Sequence, residues 1–421
     1  MEEFNLDAFE SFAKIVVIGV GGAGSNAVNQ MIQDSITSIE YWVLNTDAQA
    51  LSRSKAEHKY VLGKDYTKGL GAGGNPAIGR AAAEASINDI KEIVEGANMV
   101  FIAAGMGGGT GTGAAPVIAK AAKEAGALTV AIVTRPFGFE GNSRKAKAVA
   151  GLADLKKEVD SIIIVSNDKL MMMNGNKSIA EAFQESDKVL SQSVKTITDL
   201  ILLPGLINLD FADLKATLLD KGVALIGFGL GSGPNKAVEA ATNAIASPLL
   251  EASIKGAHSA IINITGGNKV TLDDTQEAIG YITEAAGSNV NIIFGVQQNP
   301  ELSDQMLISV IATDFESEYV PEDNPTPLVR PLREVEQPKP KFEEPKEETS
   351  ILPSFLQDLM RTKVSSSPIK DEEIASIPDE QISSSIPQEE TNIPEREEVP
   401  TESFYDSFKS SDDEEKDQYG W

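Results

Sequence analysis

Gly105-Met106-Gly107-Gly108-Gly109-Thr110-Gly111-Thr112-Gly113 decides how this chain folds. It follows an apolar run, Met99 to Ala104, that reads as a buried strand. It precedes Ala114 to Ala125, which reads as a helix with Pro116 in its first turn, where a missing N–H costs little. Strand, glycine loop and helix N-terminus together make an anion site. Glycines let backbone N–H groups turn inward, and the helix dipole favours negative charge there. Six glycines in nine residues cost too much chain entropy for an ordinary turn. A P-loop ends in Gly-Lys-Ser/Thr, and no lysine occurs between Lys91 and Lys120. Phosphates would therefore be held by backbone amides and by the Thr110 and Thr112 hydroxyls.

Two further glycine loops lie outward from this one. Lys14 to Gly19 reads as a first strand, and Gly19-Val20-Gly21-Gly22-Ala23-Gly24-Ser25-Asn26 opens a helix to about Gln33. Gly19, Gly21 and Gly24 form a literal G-x-G-x-x-G. A second strand, Ile39 to Asn45, leads to Asp47, an acid some 20 positions past the glycines. Alone, that is a dinucleotide fingerprint for NAD or FAD. Such a fold needs only one glycine loop for its pyrophosphate, whereas two loops after two strands suit a triphosphate gripped from both sides. Gly69 to Pro76 is the third loop, before a helix from Pro76 to about Glu95. Ala127 to Thr134 and Asp160 to Ser166 are further strands, flanking a loop at Arg135 to Gly141 and a basic helix at Asn142 to Lys157. Strands alternating with helices predict a doubly wound parallel sheet with all glycine loops at strand C-terminal ends.

Ser178 to Leu203 is a long helical pattern closed by Pro204-Gly205. Leu206 to Leu214 is a loop running into a helix. A second, smaller α/β pattern follows, with strands at 223–230, 260–265, 291–296 and 307–313 and helices at 234–246 and 272–286. The predicted organisation is an N-terminal extension (1–13), a nucleotide domain (14–177), a central helix (178–203), a second domain (204–316) and a tail (317–421).

The chain has 421 residues and no cysteine, which excludes disulfides, a thiol nucleophile and cysteine-ligated zinc. No apolar run is long enough to span a bilayer and the acidic N-terminus has no signal-peptide pattern, so a cytoplasmic protein is expected. Net charge is −27, and residues 321–421 carry 26 acidic against 11 basic side chains, with 13 of the 20 prolines and one of the 35 glycines. That composition predicts a disordered acidic tail. Such acidity also argues against nucleic-acid partners.

Gly107 to Gly113, Asn45-Thr46-Asp47, Gly71-Ala72-Gly73, Pro136-Phe137 with Glu140-Gly141 and Arg144, and Asn208-Leu209-Asp210-Phe211-Ala212-Asp213 together resemble the tubulin/FtsZ family. Residues 14–315 are similar to its bacterial cell-division members. The resemblance implies a GTPase that polymerises head to tail into filaments of a mid-cell division ring. It places GTP on Gly21, Gly22 and Asn26, on Ala72 and Gly73 near the γ-phosphate, and on Gly105, Gly107, Gly108, Gly109, Thr110 and Gly111. It puts Thr134 and Pro136 by the ribose with Glu140 and Arg144 nearby. Asn167 joins the nucleotide site, Phe183 stacks on the base, and Asp187 accepts from guanine. A carboxylate accepts from both the N1–H and the 2-amino group of guanine, and adenine offers neither.

Asp210 and Asp213, with Asn208, are implied to act on the nucleotide of the neighbouring subunit. Their spacing alone also fits a plainer role, Asp210 capping a helix and Asp213 supporting its first turn. Mg²⁺ is expected, held mainly by phosphates and water. Division partners, membrane tethers among them, are expected on the tail, at a peptide near 350–361 or at the C-terminus, with no direct membrane insertion. His58 and His258 read as structural, and Met171-Met172-Met173 as packing in a loop. The alternatives are an NAD-dependent oxidoreductase and a tubulin-like filament protein outside division.

Overall fold

Each apolar run of the first 166 residues becomes a strand, and its length and burial explain why. Ile15–Val20 (β1) is buried along its whole length and leads into Gly21–Gln33 (α1). Glu40–Asn45 (β2), Ala48–Ser52 (α2), His58–Val61 (β3) and Lys64–Thr67 (α3) follow, then Pro76–Ala85 (α4) and Ile87–Val94 (α5). Met99–Gly105 (β4) feeds Thr110–Glu124 (α6), and Leu128–Arg135 (β5) feeds Asn142–Leu155 (α7). Ser161–Ser166 (β6) runs into Asn167–Met173 (α8), before the long helix Ile179–Leu202 (α9) and Phe211–Leu218 (α10). Gly222–Gly231 (β7), Lys236–Ile245 (α11), Ala257–Gly266 (β8), Leu272–Ala286 (α12), Asn291–Gln298 (β9) and Met306–Phe315 (β10) complete the order. This computed structural model describes residues 13–173, 178–203, 205–247, 249–250, 252–287 and 289–315.

The strands make one ten-stranded sheet ordered β3-β2-β1-β4-β5-β6-β7-β10-β8-β9. β1 to β6 are all parallel. The chain winds outward one way from β1 and the other way from β4, so the crevice between those two strands is a topological switch point. β7 joins β6 in parallel register over Ser161–Ile163, then pairs antiparallel with β10, which pairs antiparallel with β8. Cores form on both faces of the parallel part. Val17, Phe101 and Val130 meet α1 and α9 on one side, and Val16, Ile18 and Ile102 meet α4 to α7 on the other. α9 presents Leu190, Val194, Ile197 and Leu200 to the first core, an apolar stripe at helical spacing. Ser178 and Glu181 close its N-terminus with a capping box.

Four expectations change. α6 starts at Thr110, not Ala114, so Pro116 lies in the second turn. The glycines there are helical because α6 must nestle against neighbouring backbone: a Cβ on Gly111 would stand 2.7 Å from the Gly105 carbonyl oxygen. The helix expected over 76–95 is two helices, broken at Ser86, whose hydroxyl accepts from the Gly63 amide at 2.9 Å. The basic helix ends at Leu155. Met171 to Met173 is the last turn of α8, not a loop. His58 stacks on Trp42 at 4.6 Å and His258 Nδ1 lies 2.7 Å from the Asp314 carbonyl oxygen, as structural histidines would. The tail and its docking peptide at 350–361 lie outside the described residues.

Candidate nucleotide site

The N-termini of α1 and α6 stand side by side at the C-terminal ends of β1 and β4. Gly21 has φ +72°, and a Cβ on it would lie 2.9 Å from the Gly111 nitrogen. Neither helix has a side-chain cap at its start. The first amides of each helix have no intrahelical acceptor. Two sets of inward N–H groups and two positive dipole ends therefore face one crevice.

The loop between β4 and α6 is braced on every side but one. The Met106 amide donates to the Thr134 carbonyl at 2.9 Å, and the Gly107 amide to Thr112 Oγ1 at 2.8 Å. Gly107 sits at φ +97° with the Arg144 carbonyl oxygen 2.7 Å from where a Cβ would be. Gly105 abuts Ala23, with the buried Thr134 hydroxyl just beyond. Around Gly22, Gly73, Gly74 and Gly108, by contrast, an added Cβ would meet nothing within 4 Å. These open positions outline a cradle floored by backbone.

The third loop crosses the start of α6. Gly69, Gly71, Gly73 and Gly74 all have positive φ, which turns the chain back over the site. A Cβ on Gly109 would stand 2.8 Å from Ala72 Cβ and 2.9 Å from the Asn75 nitrogen. Thr46 Oγ1 and Thr110 Oγ1 are hydrogen bonded at 2.6 Å, joining the end of β2 to the start of α6. Asp47 caps α2: its Oδ1 takes the Gln49 and Ala50 amides at 2.8 and 3.1 Å.

Farther along the same edge, Pro136 packs 3.3 Å from the Cβ position of Gly107. Glu140 Oε1 accepts from the Phe137 amide at 2.9 Å, and its other oxygen accepts from Arg144 Nη1. Asn167, at the end of β6, is buried and accepts from the Ser186 hydroxyl at 2.9 Å. Phe183 is 41% exposed and meets Phe137 edge to face at 5.0 Å. Asp187 is half-buried, and that burial pushes its carboxyl up to about 7. An underhydrated carboxylate beside an exposed aromatic ring suits a planar base with hydrogen-bond donors on its edge. All the expected nucleotide contacts, with Asn26 exposed on the first turns of α1, thus lie along one edge of the sheet.

Asn208, Asp210 and Asp213 lie elsewhere. Asp210 Oδ1 accepts from the Asp213 amide at 2.7 Å, the capping role that spacing alone suggested. Asn208 Oδ1 accepts from the Gly205 amide at 2.5 Å. All three residues are exposed. The far end of α10 is tied to the opposite edge of the parallel strands, where Ser161 Oγ donates to the Leu218 carbonyl at 2.6 Å. From Asp187, the last nucleotide-edge residue on α9, to the end of that helix at Leu202 is about 22 Å of helix. Two contributors to the nucleotide edge lay beyond the sequence reading, Ser186 and Lys147, and Thr46 was read only as part of the Asn45-Thr46-Asp47 motif. Lys147 was detectable, because it stands three positions from Arg144 and so shares its helix face.

A family model for the GTPase domain of the tubulin/FtsZ family matches residues 14–175, and a model for the FtsZ family C-terminal domain matches residues 222–316. An empty FtsZ dimer from M. jannaschii is 41% identical with a TM-score of 0.69, the match covering 73% of this chain and 90% of that one. The W319Y mutant of M. jannaschii FtsZ is 42% identical with a TM-score of 0.69, covering 72% and 91%. CetZ2 from Haloferax volcanii, a GTPγS-bound protofilament, shares the fold at 21% identity and a TM-score of 0.62, covering 72% and 94%.

Proposed function

The chain belongs to the tubulin/FtsZ family of filament-forming GTPases, and from that premise we propose that it builds the division ring by head-to-tail assembly, each subunit completing its neighbour's active site. GTP lies along the strand ends. Its phosphates take the amides at the starts of α1 and α6 and the loop at Ala72 and Gly73. Thr134, Pro136, Glu140 and Arg144 line the ribose, Phe183 and Asn167 flank the base, and Asp187 accepts from guanine. Mg²⁺ would be held mainly by phosphate oxygens and water and would offset phosphate charge.

One observation carries the shared-site reading: the phosphate loops lie at the C-terminal ends of the parallel strands, whereas the helix that the acidic loop opens ends against their opposite edge, where Ser161 Oγ donates to the Leu218 carbonyl. A single chain cannot bring them together. A second copy stacked head to tail can, and repetition gives an open filament because nothing forces closure. Asp210 and Asp213 then orient and polarise the attacking water at the neighbour's γ-phosphate. Exposed leucines at both ends suit such a contact: Leu70, 84% exposed, by the phosphate loops, and Leu206 and Leu272, 74% and 77% exposed, by the acidic loop. Division partners dock on the tail, and the ring forms in the cytoplasm at mid-cell.

Phosphate release per subunit across a dilution series tests this. Turnover should fall to a negligible level below the concentration at which light scattering detects polymer. A specific activity that holds constant down to monomers would mean that one chain carries a complete site. Failure of a fluorescent fusion to form a mid-cell ring would remove the division role and leave the filament.

A further inference from the structure

α7 lies along the signature loop. The Arg144 carbonyl crowds Gly107, and a Cβ on Gly151 would run into the Thr112 side chain. Between those contacts Lys147 extends over the start of α6 and donates from Nζ to the Gly74 carbonyl at 2.7 Å. Gly74 is itself against the phosphate cradle, its carbonyl carbon 3.2 Å from the Cβ position of Gly109. The ammonium therefore bridges the mouth of the crevice from helix to glycine loop. Its acceptor is a neutral carbonyl. The neighbouring cations are differently committed, Arg144 to Glu140 and Lys145 to Asp168, both carboxylates. Lys147 thus brings a charge to the cradle that its own hydrogen bond does not cancel.

Beside that strut the loop borders open space. An added Cβ at Gly73 or Gly74 would meet nothing within 4 Å, and the positive φ of these glycines lets the backbone turn there at little steric cost. An ammonium on a four-carbon stem can exchange a carbonyl for a phosphate oxygen by rotating its own torsions. The bond to an anionic phosphate oxygen, with charge on both partners, is the stronger of the two.

We propose that Lys147 is the residue by which this site distinguishes a nucleoside triphosphate from a diphosphate. With a diphosphate bound it stays on the Gly74 carbonyl. A γ-phosphate beside Ala72 and Gly73 takes the ammonium, and the 69–75 loop is released from its strut and resettles on the phosphate. This rests on the nucleotide assignment above.

The test measures GTP and GDP dissociation constants by calorimetry on the full chain, held below its assembly concentration, for the natural protein, Lys147→Met and Lys147→Arg. Methionine keeps the apolar stem and removes the charge. Lys147→Met should weaken GTP about tenfold and GDP less than about twofold, and Lys147→Arg should restore the natural ratio. Lys147→Gln, with a polar end and no charge, should behave as Lys147→Met. Equal weakening of both nucleotides, which a merely structural strut would produce, overturns the proposal, as does no change in either. A natural protein that binds neither GTP nor GDP overturns the nucleotide assignment itself, a result distinct from both.

Discussion

The phosphate edge and the acidic loop are built on opposite principles. At the phosphate edge backbone atoms do the work, and at Gly19, Gly24, Gly109 and Gly111 the neighbouring chain leaves no room for a side chain, whereas Gly22, Gly73, Gly74 and Gly108 border open space. At the acidic loop the working groups are exposed carboxylates on an ordinary helix start, and almost any side chain would fit. A site made of backbone is destroyed by adding atoms, whereas a site made of side chains is silenced by removing them. The first kind should fail in folding and binding together, the second in chemistry alone.

The sharpest break should come from Gly24→Val. A Cβ there runs into the Ala103 carbonyl oxygen of β4 and the end of β1 at Gly19. Overpacking of this kind costs about 1–3 kcal/mol or more. Nucleotide binding should be lost with a clear drop in Tm. Gly108→Ala, in open space, should keep the natural Tm, and an equal loss in both variants would refute the crowding argument.

Asp213→Ala should show the converse. Removing a group that orients the attacking water should cost about 10²–10⁴-fold in turnover. GTP affinity and polymer mass should stay at natural values, because the carboxylate is exposed and remote from the cradle. A variant that loses GTP affinity would place Asp213 in the subunit's own pocket.

Asp187 carries a pH dependence of definite sign. Its folded-state carboxyl titrates near 7, against an ordinary value of 3.8. Between those values the folded protein holds a proton that the unfolded chain has released, so the stability of the nucleotide-free protein declines as pH rises through that window. The charged form is the one that accepts from guanine. GTP affinity should therefore fall as pH drops below 7, approaching about tenfold per unit, and the Tm gain from GTP should grow from pH 5.5 to 7.5. Asp187→Ala should flatten that profile and weaken GTP by about 1–3 kcal/mol. A flat profile in the natural protein would remove Asp187 from base recognition.

The smallest effect is expected from Asp47→Ala. The lost helix cap should lower stability by about 1 kcal/mol in chemical denaturation, with GTP affinity unchanged. Weakened GTP binding would show that this carboxylate reaches the ligand after all.

Glycine density, apolar runs and helical periodicity are local properties, and they announced the parallel sheet, the three glycine loops at its strand ends and the long helix before the acidic loop. Those features follow from what each short segment can do with its own backbone, which is why they were legible before any contact was known. The same local logic missed the start of α6, since only the packing of Gly111 against Gly105 makes a glycine run helical. Nor does spacing reveal that one oxygen of Asp47 is occupied by two amides of α2. The raised carboxyl of Asp187 and the span from Lys147 to Gly74 belong to the tertiary structure alone. Each depends on burial or on atoms far apart in the chain, and neither burial nor distance is a property of residues taken in order.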